Sequence, residues 1–559
     1  MEVERPGRKD RLYGALCALL VIASVLGSVP ILAMGINDDW SYAWTAREFA
    51  RTGHLAYDGW VGAMVAVQAV WGGLLIRLFG FSFTLLRLST LPFAVGCALF
   101  LYALGRRAGL QPAFALFGTL AVALSPVFIP MAASFMTDVP GFFFWLAALY
   151  CAVRAWDSGS ATGACAWLAA MALLGAAGGT ERQVVWAVPL TVLPTIAWAR
   201  RKERAVVAAA TLLFAASVAV PGLSLRWFQA QTNTAAGAGE NWPWLEFAWY
   251  ELESVLQVAV SCLILTLPVL AISLRRAGLH PARKLALGLL LSAGIVAAQL
   301  WLFGDPLLLG NIIEPTGFLG QGVEALGRKP EILTAPVRMF LGLAVVAGGG
   351  FTFASLGRIS DPLQRRFLLI AAPPTALYTA AILYRAVRDW LLFDRYMLLL
   401  LPVLIFPLLW RYQRNVRGAP PRLGWALLAA FALYGVASTH DYLAAGRAKV
   451  RAASALTGAG VPRTRITAGL EYDAWTELEH SGRIRKDNAA PDEYWFWKYT
   501  PSLRPAYFVA YSRLEGMVDA AAPARYTAWL PPFRRQIVTL TPPSRRGSEA
   551  GPRRKGAVN

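Results

Sequence analysis

The stretch VVAAATLLFAASVAVPGLSLRW at residues 206–227 decides the fold class of this chain. Its only charged residue, Arg226, lies next to its end. An α-helix of about 20 apolar residues spans the ~30 Å hydrocarbon core of a bilayer. A surface helix of a soluble protein would instead carry polar residues along one face. The stretch therefore predicts a transmembrane helix.

Apolar stretches of this kind recur from residue 12 to about residue 440 and predict about 13 transmembrane helices. They lie near 12–34, 83–104, 111–131, 139–154, 161–180, 184–199, 206–227, 253–274, 284–303, 333–356, 366–386, 396–411 and 422–440. Hydrophobic residues make up 57% of the 559 residues and charged residues 15%, against about 25% charged in soluble domains. The composition therefore excludes a soluble or disordered chain and predicts a polytopic α-helical membrane protein.

The formal net charge of +20 follows the predicted topology. Basic clusters flank alternate spans and fall on one side if the connections alternate, which is the cytoplasmic side by the positive-inside rule. The clusters are Arg5/Arg8/Lys9/Arg11, Arg106/Arg107, Arg200/Arg201/Lys202/Arg204, Arg275/Arg276/Arg283/Lys284, Arg365/Arg366 and Arg411/Arg414/Arg417. We therefore expect a cytoplasmic N-terminus and no nucleic-acid partner. The first span is too long for a signal peptide and lacks a clear cleavage site, so we expect a retained anchor.

The segment after the last predicted span has a different composition. Residues 441–458 predict a helix, and residues 464–470, 505–512 and 534–540 predict strands. We expect a membrane domain at 1–440, a small extracytoplasmic α/β domain at 441–542 and a disordered basic tail at 543–559. The membrane domain contains a long first outer loop at 35–82, which predicts two interfacial helices.

The positions of the cysteine and histidine residues do not indicate a metal site. All five cysteines, Cys17, Cys97, Cys151, Cys165 and Cys262, lie inside apolar stretches, and only four histidines occur. This pattern indicates neither a disulfide framework nor a zinc site.

Ionisable residues near the spans gather at their predicted outer ends, and the middles of the spans are nearly free of charge. The members are Asp38, Asp39, Asp138, Glu181, Arg182, Arg385, Arg388, Asp389, Asp394 and Arg395. An ion-coupled transporter usually carries acids near the bilayer midplane. Arginine forks suit a phosphate group, and a carboxylate suits proton abstraction from a hydroxyl. The pattern therefore indicates a reaction chamber at the outer surface.

Several short motifs occur in a characteristic order. Asp38-Asp39 is followed by Tyr42-Ala43, Ala46-Arg47-Glu48-Phe49, Phe79-Gly80-Phe81-Ser82, Leu86-Arg87-Leu88, Thr137-Asp138-Val139-Pro140, Arg395-Tyr396 and Leu401-Pro402. In this order and topology the chain, to about residue 440, resembles the membrane glycosyltransferases of the C superfamily. It resembles most the family of protein O-mannosyltransferases and the bacterial aminoarabinose transferase of lipid A.

The resemblance implies an inverting glycosyltransferase of the bacterial cytoplasmic membrane, which transfers a sugar from a polyprenyl phosphate to a hydroxyl acceptor on the outer face. The acceptor class, whether lipid, polysaccharide or protein, stays open, as does a divalent metal. Asp38 matches the presumed catalytic base, and Asp39 and Asp138 are further catalytic candidates. The expected ligands of the donor phosphate are Arg182, Arg385, Arg388 and Arg395, and the expected substrate contacts are Tyr42, Glu181 and Tyr396.

The sequence departs from the family pattern at two positions. Asp39 stands where the family has Glu, and Asp58-Gly59-Trp60-Val61-Gly62 replaces a Lys-Pro-Pro-like stretch that carries donor contacts. We also expect no β-trefoil domain like that of the eukaryotic protein mannosyltransferases.

Structural alternatives exist for the candidate residues. Asp38 and Asp138 suit helix N-termini, where acids act as caps. Arg395 suits a side chain that extends to the headgroups, and Glu181 with Arg182 suits a local ion pair. Two other functions are also compatible with the sequence: a flippase of lipid-linked sugars, and a nonenzymatic scaffold with a glycan-binding outer domain.

The topology yields a direct prediction: the N-terminus is cytoplasmic and residues 441–559 lie outside. A cysteine introduced after residue 450 should react with a membrane-impermeant maleimide in intact cells. A cysteine at Lys202, in a basic cluster, should react only after permeabilisation. Labelling of the first position from the cytoplasmic side alone would contradict the outer location of the chamber.

Overall fold

In a computed structural model, the protein is described over residues 7–543 with several gaps. The gaps are residues 61, 235–246, 275–281, 306, 308, 309, 311, 320–325, 356–358, 360, 390, 391, 416, 417 and 486–495. The predicted basic tail at 543–559 lies almost entirely outside the described residues.

Helices account for most of the described chain. The first nine are α1 Arg8–Gly27, α2 Asp39–Thr52, α3 Ala66–Phe79, α4 Phe83–Leu88, α5 Leu91–Arg107, α6 Pro112–Ala123, α7 Phe128–Ala132, α8 Asp138–Asp157 and α9 Ala161–Glu181. The others are α10 Ala187–Ala199, α11 Arg204–Gln229, α12 Phe247–Leu274, α13 Ala282–Phe303, α14 Ala335–Ser355, α15 Pro362–Asp389, α16 Leu401–Asn415, α17 Arg422–Gly458 and α18 Leu470–Ser481. The 3₁₀ helices are Gln183–Trp186, Asp394–Leu399, Arg463–Arg465 and Trp497–Tyr499.

The predicted polytopic helical fold is confirmed. In the described part of the chain, ten helices are long and apolar enough to cross a membrane. The three other predicted spans correspond to shorter helices. The span predicted at 111–131 consists of α6 and α7, and those predicted at 184–199 and 396–411 each begin with a 3₁₀ helix, at Gln183–Trp186 and Asp394–Leu399. The predicted pair of helices in the first outer loop is also present, as α2 and α3.

A four-stranded mixed sheet follows the membrane helices. Its strands are β3 Ile466–Thr467, β4 Tyr507–Ala510, β5 Val518–Thr527 and β6 Arg534–Thr541, in the order β3-β4-β6-β5, and only β3 and β4 pair in parallel. A two-stranded hairpin, β1 Ile313–Glu314 and β2 Gly317–Phe318, lies in a late loop. We call the four-stranded sheet and α18 the sheet domain.

Two elements of the sheet domain were not predicted from the sequence. Strand β5 contains Pro523 and three alanines in a row, a composition that does not indicate a strand. It lies at the edge of the sheet with irregular register around Pro523, which is where a strand tolerates proline. Helix α18 carries several acids that point inward, so its sequence lacks an apolar face.

Helix α17 joins the two parts of the molecule. It runs over 37 residues without a break, through the last predicted span and past residue 440. Its second half is buried from Ser438 to Gly446, whereas only Gly424, Leu428 and Gly435 are buried in the preceding part, residues 422–437. The predicted boundary at 440/441 therefore falls inside one continuous helix.

A buried ion pair fixes the entry to the first outer loop. Arg87 and Asp39 are both fully buried, with Arg87 Nε 3.6 Å from Asp39 Oδ2. Arg87 also donates hydrogen bonds to the carbonyl oxygens of Leu32 (2.7 Å) and Met34. Asp39 accepts hydrogen bonds from the amides of Ile36 (2.6 Å) and Phe135 (3.2 Å). The pair thus joins α4, residues 32–36 and the turn before α8.

Removing the Arg87 charge should destabilise the fold. Loss of one member of a buried pair typically costs about 3–5 kcal/mol of free energy of unfolding, because the other charge stays buried. We predict that Arg87→Met lowers the melting temperature in detergent, whereas Arg51→Met, which removes an exposed partner of Glu48, leaves it nearly unchanged. Equal melting of Arg87→Met and the parent protein would show that the pair does not hold this loop.

Candidate functional site

Asp38 lies at the start of α2, and its side chain does not cap that helix. Asn37 before it has φ 53, in the left-handed region, which turns the chain sharply at this point. Asp38 Oδ1 accepts a hydrogen bond of 2.8 Å from Trp60 Nε1, and Asp38 Oδ2 lies 3.9 Å from Arg395 Nη2. The Asp38 side chain is 21% exposed. Its carboxylate therefore faces other side chains and stays partly accessible.

Asp138 is the first residue of α8 and is almost completely buried. Its Oδ1 forms an ion pair with Arg182 Nη1 and lies 3.8 Å from Arg395 Nε. Arg182 directly follows α9, so the pair links the start of α8 to the end of the neighbouring α9. The sequence-based alternative of a Glu181–Arg182 ion pair does not occur in the described structure, since Arg182 pairs with Asp138.

Arg395 lies between the two acids, and its side chain is only 6% exposed. It therefore does not extend to the membrane surface, in contrast to the alternative considered above. Among the described residues, Arg395 Nη1 and Nε have no hydrogen-bond acceptor, and Asp138 Oδ2 has no donor. Buried polar groups are nearly always hydrogen-bonded. These open groups can bind an anionic oxygen and a hydroxyl donor, respectively.

The ring of Tyr396 gathers three guanidinium groups. Those of Arg182, Arg385 and Arg395 lie 5.1, 5.5 and 5.7 Å from the ring centroid. Such distances are typical of cation–π contacts, which hold cations close together without neutralising them. Tyr396 is fixed in turn by Tyr378, whose hydroxyl donates to the Tyr396 carbonyl at 2.9 Å. The side chain of Arg388 lies outside the described part of the structure.

We call Asp38, Asp138, Arg182, Arg395 and Tyr396 the outer cluster, and the end of the helix bundle that carries it the outer end. Tyr42, on the buried face of α2, lies within electrostatic range of all four charged members. Most of the predicted site residues are thus brought together, from elements far apart in sequence.

Two predicted site residues have other surroundings. Asp39 is enclosed, and both its oxygens accept backbone hydrogen bonds as described above. Glu181 is buried and accepts a hydrogen bond of 2.8 Å from the amide of Gln68, in the first turn of α3. This arrangement satisfies a free amide at a helix N-terminus. Asp39 therefore holds backbone segments in place through both oxygens, whereas Glu181 does so through Oε1 and has no hydrogen-bond partner for Oε2 among the described residues.

Burial raises the pKa of Asp38, and the nearby Arg395 and the hydrogen bond from Trp60 oppose part of that shift. Burial also raises the pKa of Asp39 to about 6, although Arg87 and two backbone amides oppose the shift. Asp38 thus combines partial access with a pKa above that of an ordinary aspartate. This combination suits a general base better than a surface carboxylate would.

Three residues shape the site in ways that the sequence did not indicate. Trp60 was noted only as part of a stretch that departs from the family pattern. Glu471, on α18, is buried and accepts a hydrogen bond of 3.2 Å from the amide of Asn37. Asp394 accepts from the amides of Ile312 and Ile313 at 3.0 and 2.8 Å and so fixes the late loop beside Arg395. Asp394 is among the ionisable residues at the predicted span ends, but the sequence indicated no role for it. No local sequence pattern indicates Glu471.

A metal centre is not evident in the described ranges: no three or more His, Cys, Asp or Glu side chains gather there as candidate ligands. The chemistry of the outer cluster itself is that of two carboxylates and two or three guanidinium groups. Such a set can bind a phosphate and accept a proton from a hydroxyl.

Comparison with known proteins gives one family match and several structural likenesses. The family described as dolichyl-phosphate-mannose-protein mannosyltransferase matches residues 69–225. No curated protein matches the sequence significantly.

Among solved structures, the chain is similar to the S. cerevisiae protein O-mannosyltransferase Pmt1-Pmt2 complex bound to the sugar donor, with 15% identity and a TM-score of 0.35. That alignment covers 42% of this chain and 35% of the yeast chain, about a third of its length. It is also similar to ArnT from Cupriavidus metallidurans bound to undecaprenyl phosphate, with 15% identity, a TM-score of 0.42, and coverage of 94% and 98%. A third is the Archaeoglobus fulgidus oligosaccharyltransferase, with 14% identity, a TM-score of 0.38, and coverage of 76% and 56%.

The family match includes α8, which begins at Asp138, and the Arg182 that pairs with it. It confirms the predicted resemblance to the protein mannosyltransferases: over residues 69–225 this chain is similar to that family.

Proposed function

We propose that this protein is an inverting glycosyltransferase that moves a sugar from a polyprenyl phosphate to a hydroxyl acceptor at the outer face of the bacterial cytoplasmic membrane. The observation that carries the proposal is the outer cluster, in which Arg395 lies within 4 Å of both Asp38 and Asp138. The family match over residues 69–225 supports the same reaction class. The basic clusters at alternate loops support the orientation.

The donor phosphate binds the guanidinium groups around Tyr396. Arg395 offers two nitrogen atoms that lack acceptors in the described structure, and Arg182 and Arg385 lie against the same ring. When the sugar leaves, negative charge grows on the phosphate oxygen that carried it. Guanidinium groups already held in place stabilise that charge without having to reorganise, which lowers the barrier of the reaction.

Asp38 acts as the general base. Its carboxylate removes the proton of the acceptor hydroxyl while the hydroxyl oxygen attacks the anomeric carbon, on the face opposite the phosphate. The bond to the phosphate breaks in the same displacement, so the configuration at that carbon inverts. Asp138, with its open Oδ2, orients the acceptor or the sugar by accepting a hydrogen bond. Its negative charge also balances part of the positive charge of Arg182 and Arg395.

The first test replaces the base. We expect Asp38→Asn to lower the transfer rate by ~10²–10⁴-fold, because an amide of the same shape cannot accept the proton. Binding of undecaprenyl phosphate should persist, since the guanidinium groups are unchanged. Transfer is measured as release of undecaprenyl phosphate from a panel of undecaprenyl-phosphate sugars, with membrane extract as the source of acceptor.

Glu48→Gln is the matched control, because it makes the same chemical change in α2 at a carboxylate that pairs with the exposed Arg51. It should transfer like the parent protein. A loss of less than roughly tenfold in Asp38→Asn would not fit a general base. If instead Asp39→Asn folds normally and alone abolishes transfer, Asp39 is the base and the assignment is off by one residue.

The second test concerns the phosphate contacts. Arg395→Lys keeps the charge but loses the planar fork of donors. We expect undecaprenyl phosphate to bind about 10- to 100-fold more weakly, the equivalent of one hydrogen bond between charged groups. Native mass spectrometry in detergent measures the affinity. Arg154→Lys, near the far end of α8, should bind like the parent. Unchanged affinity in both Arg395→Lys and Arg395→Ala would place the phosphate elsewhere.

A further inference from the structure

We propose that Trp60 is a positioning residue for Asp38 and that the sheet domain holds both Trp60 and the turn before Asp38 in place. The effect of Trp60 on catalysis rests on the proposed function, in which Asp38 is the general base. According to this proposal, the sheet domain helps to position Asp38, a member of the outer cluster.

The indole of Trp60 makes the closest polar contact of the Asp38 carboxylate, at 2.8 Å from Nε1 to Oδ1. Trp60 itself is held by Asp58, whose Oδ1 accepts a hydrogen bond of 2.9 Å from the Trp60 amide. Asp58 is buried and comes from the stretch that departs from the family pattern. The stretch thus supplies a donor that fixes one oxygen of Asp38, while Arg395 faces the other oxygen.

The residues that follow α18 pack directly on this stretch. The amide of Ile484 donates a hydrogen bond of 2.6 Å to the Asp58 carbonyl. Gly59 has φ +96, and a Cβ at this position would lie 2.5 Å from the Ile484 carbonyl oxygen. Only glycine fits, because the opposing atom belongs to the backbone and cannot rotate away.

Aromatic rings fix the plane of the Trp60 indole. Its ring centroid lies 5.2 Å from that of Phe496 and 5.3 Å from that of Tyr499, both edge-on, and 5.7 Å from that of Trp40. Phe496 and Tyr499 lie between α18 and β4, so two of the three rings come from the sheet domain. Edge-on contacts of this kind favour one ring orientation.

The sheet domain also contacts the chain on the other side of Asp38. Glu471 accepts the hydrogen bond from the Asn37 amide at 3.2 Å, and its carboxylate is held by the Tyr442 hydroxyl and by Lys449, 4.0 Å away. Asn37 adopts a left-handed conformation that costs free energy for a residue with a Cβ. A bond from the sheet domain to that residue stabilises the turn that presents Asp38.

A donor on the carboxylate has a measurable consequence. A hydrogen bond to the charged form of an acid lowers its pKa, so loss of the bond raises it. The charged and titratable groups that face Asp38 are Arg395, Glu471, Asp138, Asp58 and Tyr42. None of these is altered when Trp60 is replaced, and greater exposure of Asp38 would lower its pKa, so an upward shift of the Asp38 pKa reports the lost bond.

The experiment measures protonation of Asp38 directly. A hydrophobic carbodiimide modifies protonated carboxyl groups, and mass spectrometry of the Asp38 peptide gives the modified fraction at each pH. The full-length protein is used in detergent. In Trp60→Phe we expect the midpoint of labelling to move to higher pH by about one to two units, the equivalent of a hydrogen bond to a charged group. The control Trp301→Phe removes an indole of α13 that is 84% exposed and has no part in the outer cluster, and it should keep the parent midpoint.

A second pair of variants tests the sheet domain without changing any polar side chain. Gly59→Ala places a methyl group against the Ile484 carbonyl and should move the midpoint in the same direction. Gly62→Ala, with no atom within 4 Å of the added Cβ, should not. An unchanged midpoint in a folded Trp60→Phe overturns the role of Trp60. A shift in Trp60→Phe without one in Gly59→Ala overturns the role of the sheet domain. If Trp60→Phe does not fold, Gly59→Ala decides.

The labelling does not depend on transfer, so it separates this proposal from the proposed function. With active protein, Trp60→Phe should lower kcat and move the acid limb of its pH profile upward, while undecaprenyl phosphate binds as in the parent. If the parent protein transfers no sugar from any donor yet the midpoints move as expected, the positioning stands and the glycosyltransferase assignment fails.

Discussion

The placement of Arg395 between Asp38 and Asp138 is the interaction on which the outer end of this molecule depends. Removing these charges from water costs several kcal/mol for each ion unless partners replace the lost hydration. Arg395 lies 3.9 Å from one carboxylate and 3.8 Å from the other, and Arg182 adds a second cation to Asp138. The start of α2, the start of α8, the end of α9 and the 3₁₀ helix Asp394–Leu399 supply these residues and are therefore held at one point. Not all the hydrogen-bonding groups at this point are satisfied within the described residues, which leaves room for a charged ligand.

The buried acids near this end fall into two groups that differ in their partners. Asp39, Glu181 and Asp394 accept hydrogen bonds from backbone amides and so hold chain segments in fixed positions. Asp38 and Asp138 face guanidinium groups and lack such amide bonds in the described structure. Asp39 and Asp394 accept amide bonds at both oxygens and so have little capacity left for a substrate. The distinction explains why neighbouring acids such as Asp38 and Asp39 have different roles in the proposed mechanism.

Much of the membrane fold could be predicted from the sequence. The length of each apolar stretch indicates a span, and the arginine clusters indicate the connections between spans; both are local features of the sequence. The helices of the first outer loop were predicted for the same reason. We predicted that Asp38, Asp138, Arg182 and Arg395 lie close together, because all four lie at the ends of predicted spans. An isolated charge near the membrane interior is costly, so such charges tend to pair with one another. The contacts of Trp60 and Glu471 with Asp38 and Asn37 were not predictable. They join residues 22 and 434 positions apart, and neither residue belongs to a local pattern that indicates its partner. The separate surroundings of Asp39 and Glu181 also depend on tertiary contacts alone.

The most direct test of this account is a cryo-electron microscopy map of the protein in nanodiscs with undecaprenyl phosphate. The account predicts phosphate density in contact with Arg395 and within reach of Arg182 and Arg385, beside the Tyr396 ring, with the prenyl chain leading into the helix bundle. The Asp38 carboxylate should remain free of the phosphate and face the position of the departing sugar. Phosphate density at another place, with the outer cluster unchanged, would contradict the central claim that these residues form the site of transfer.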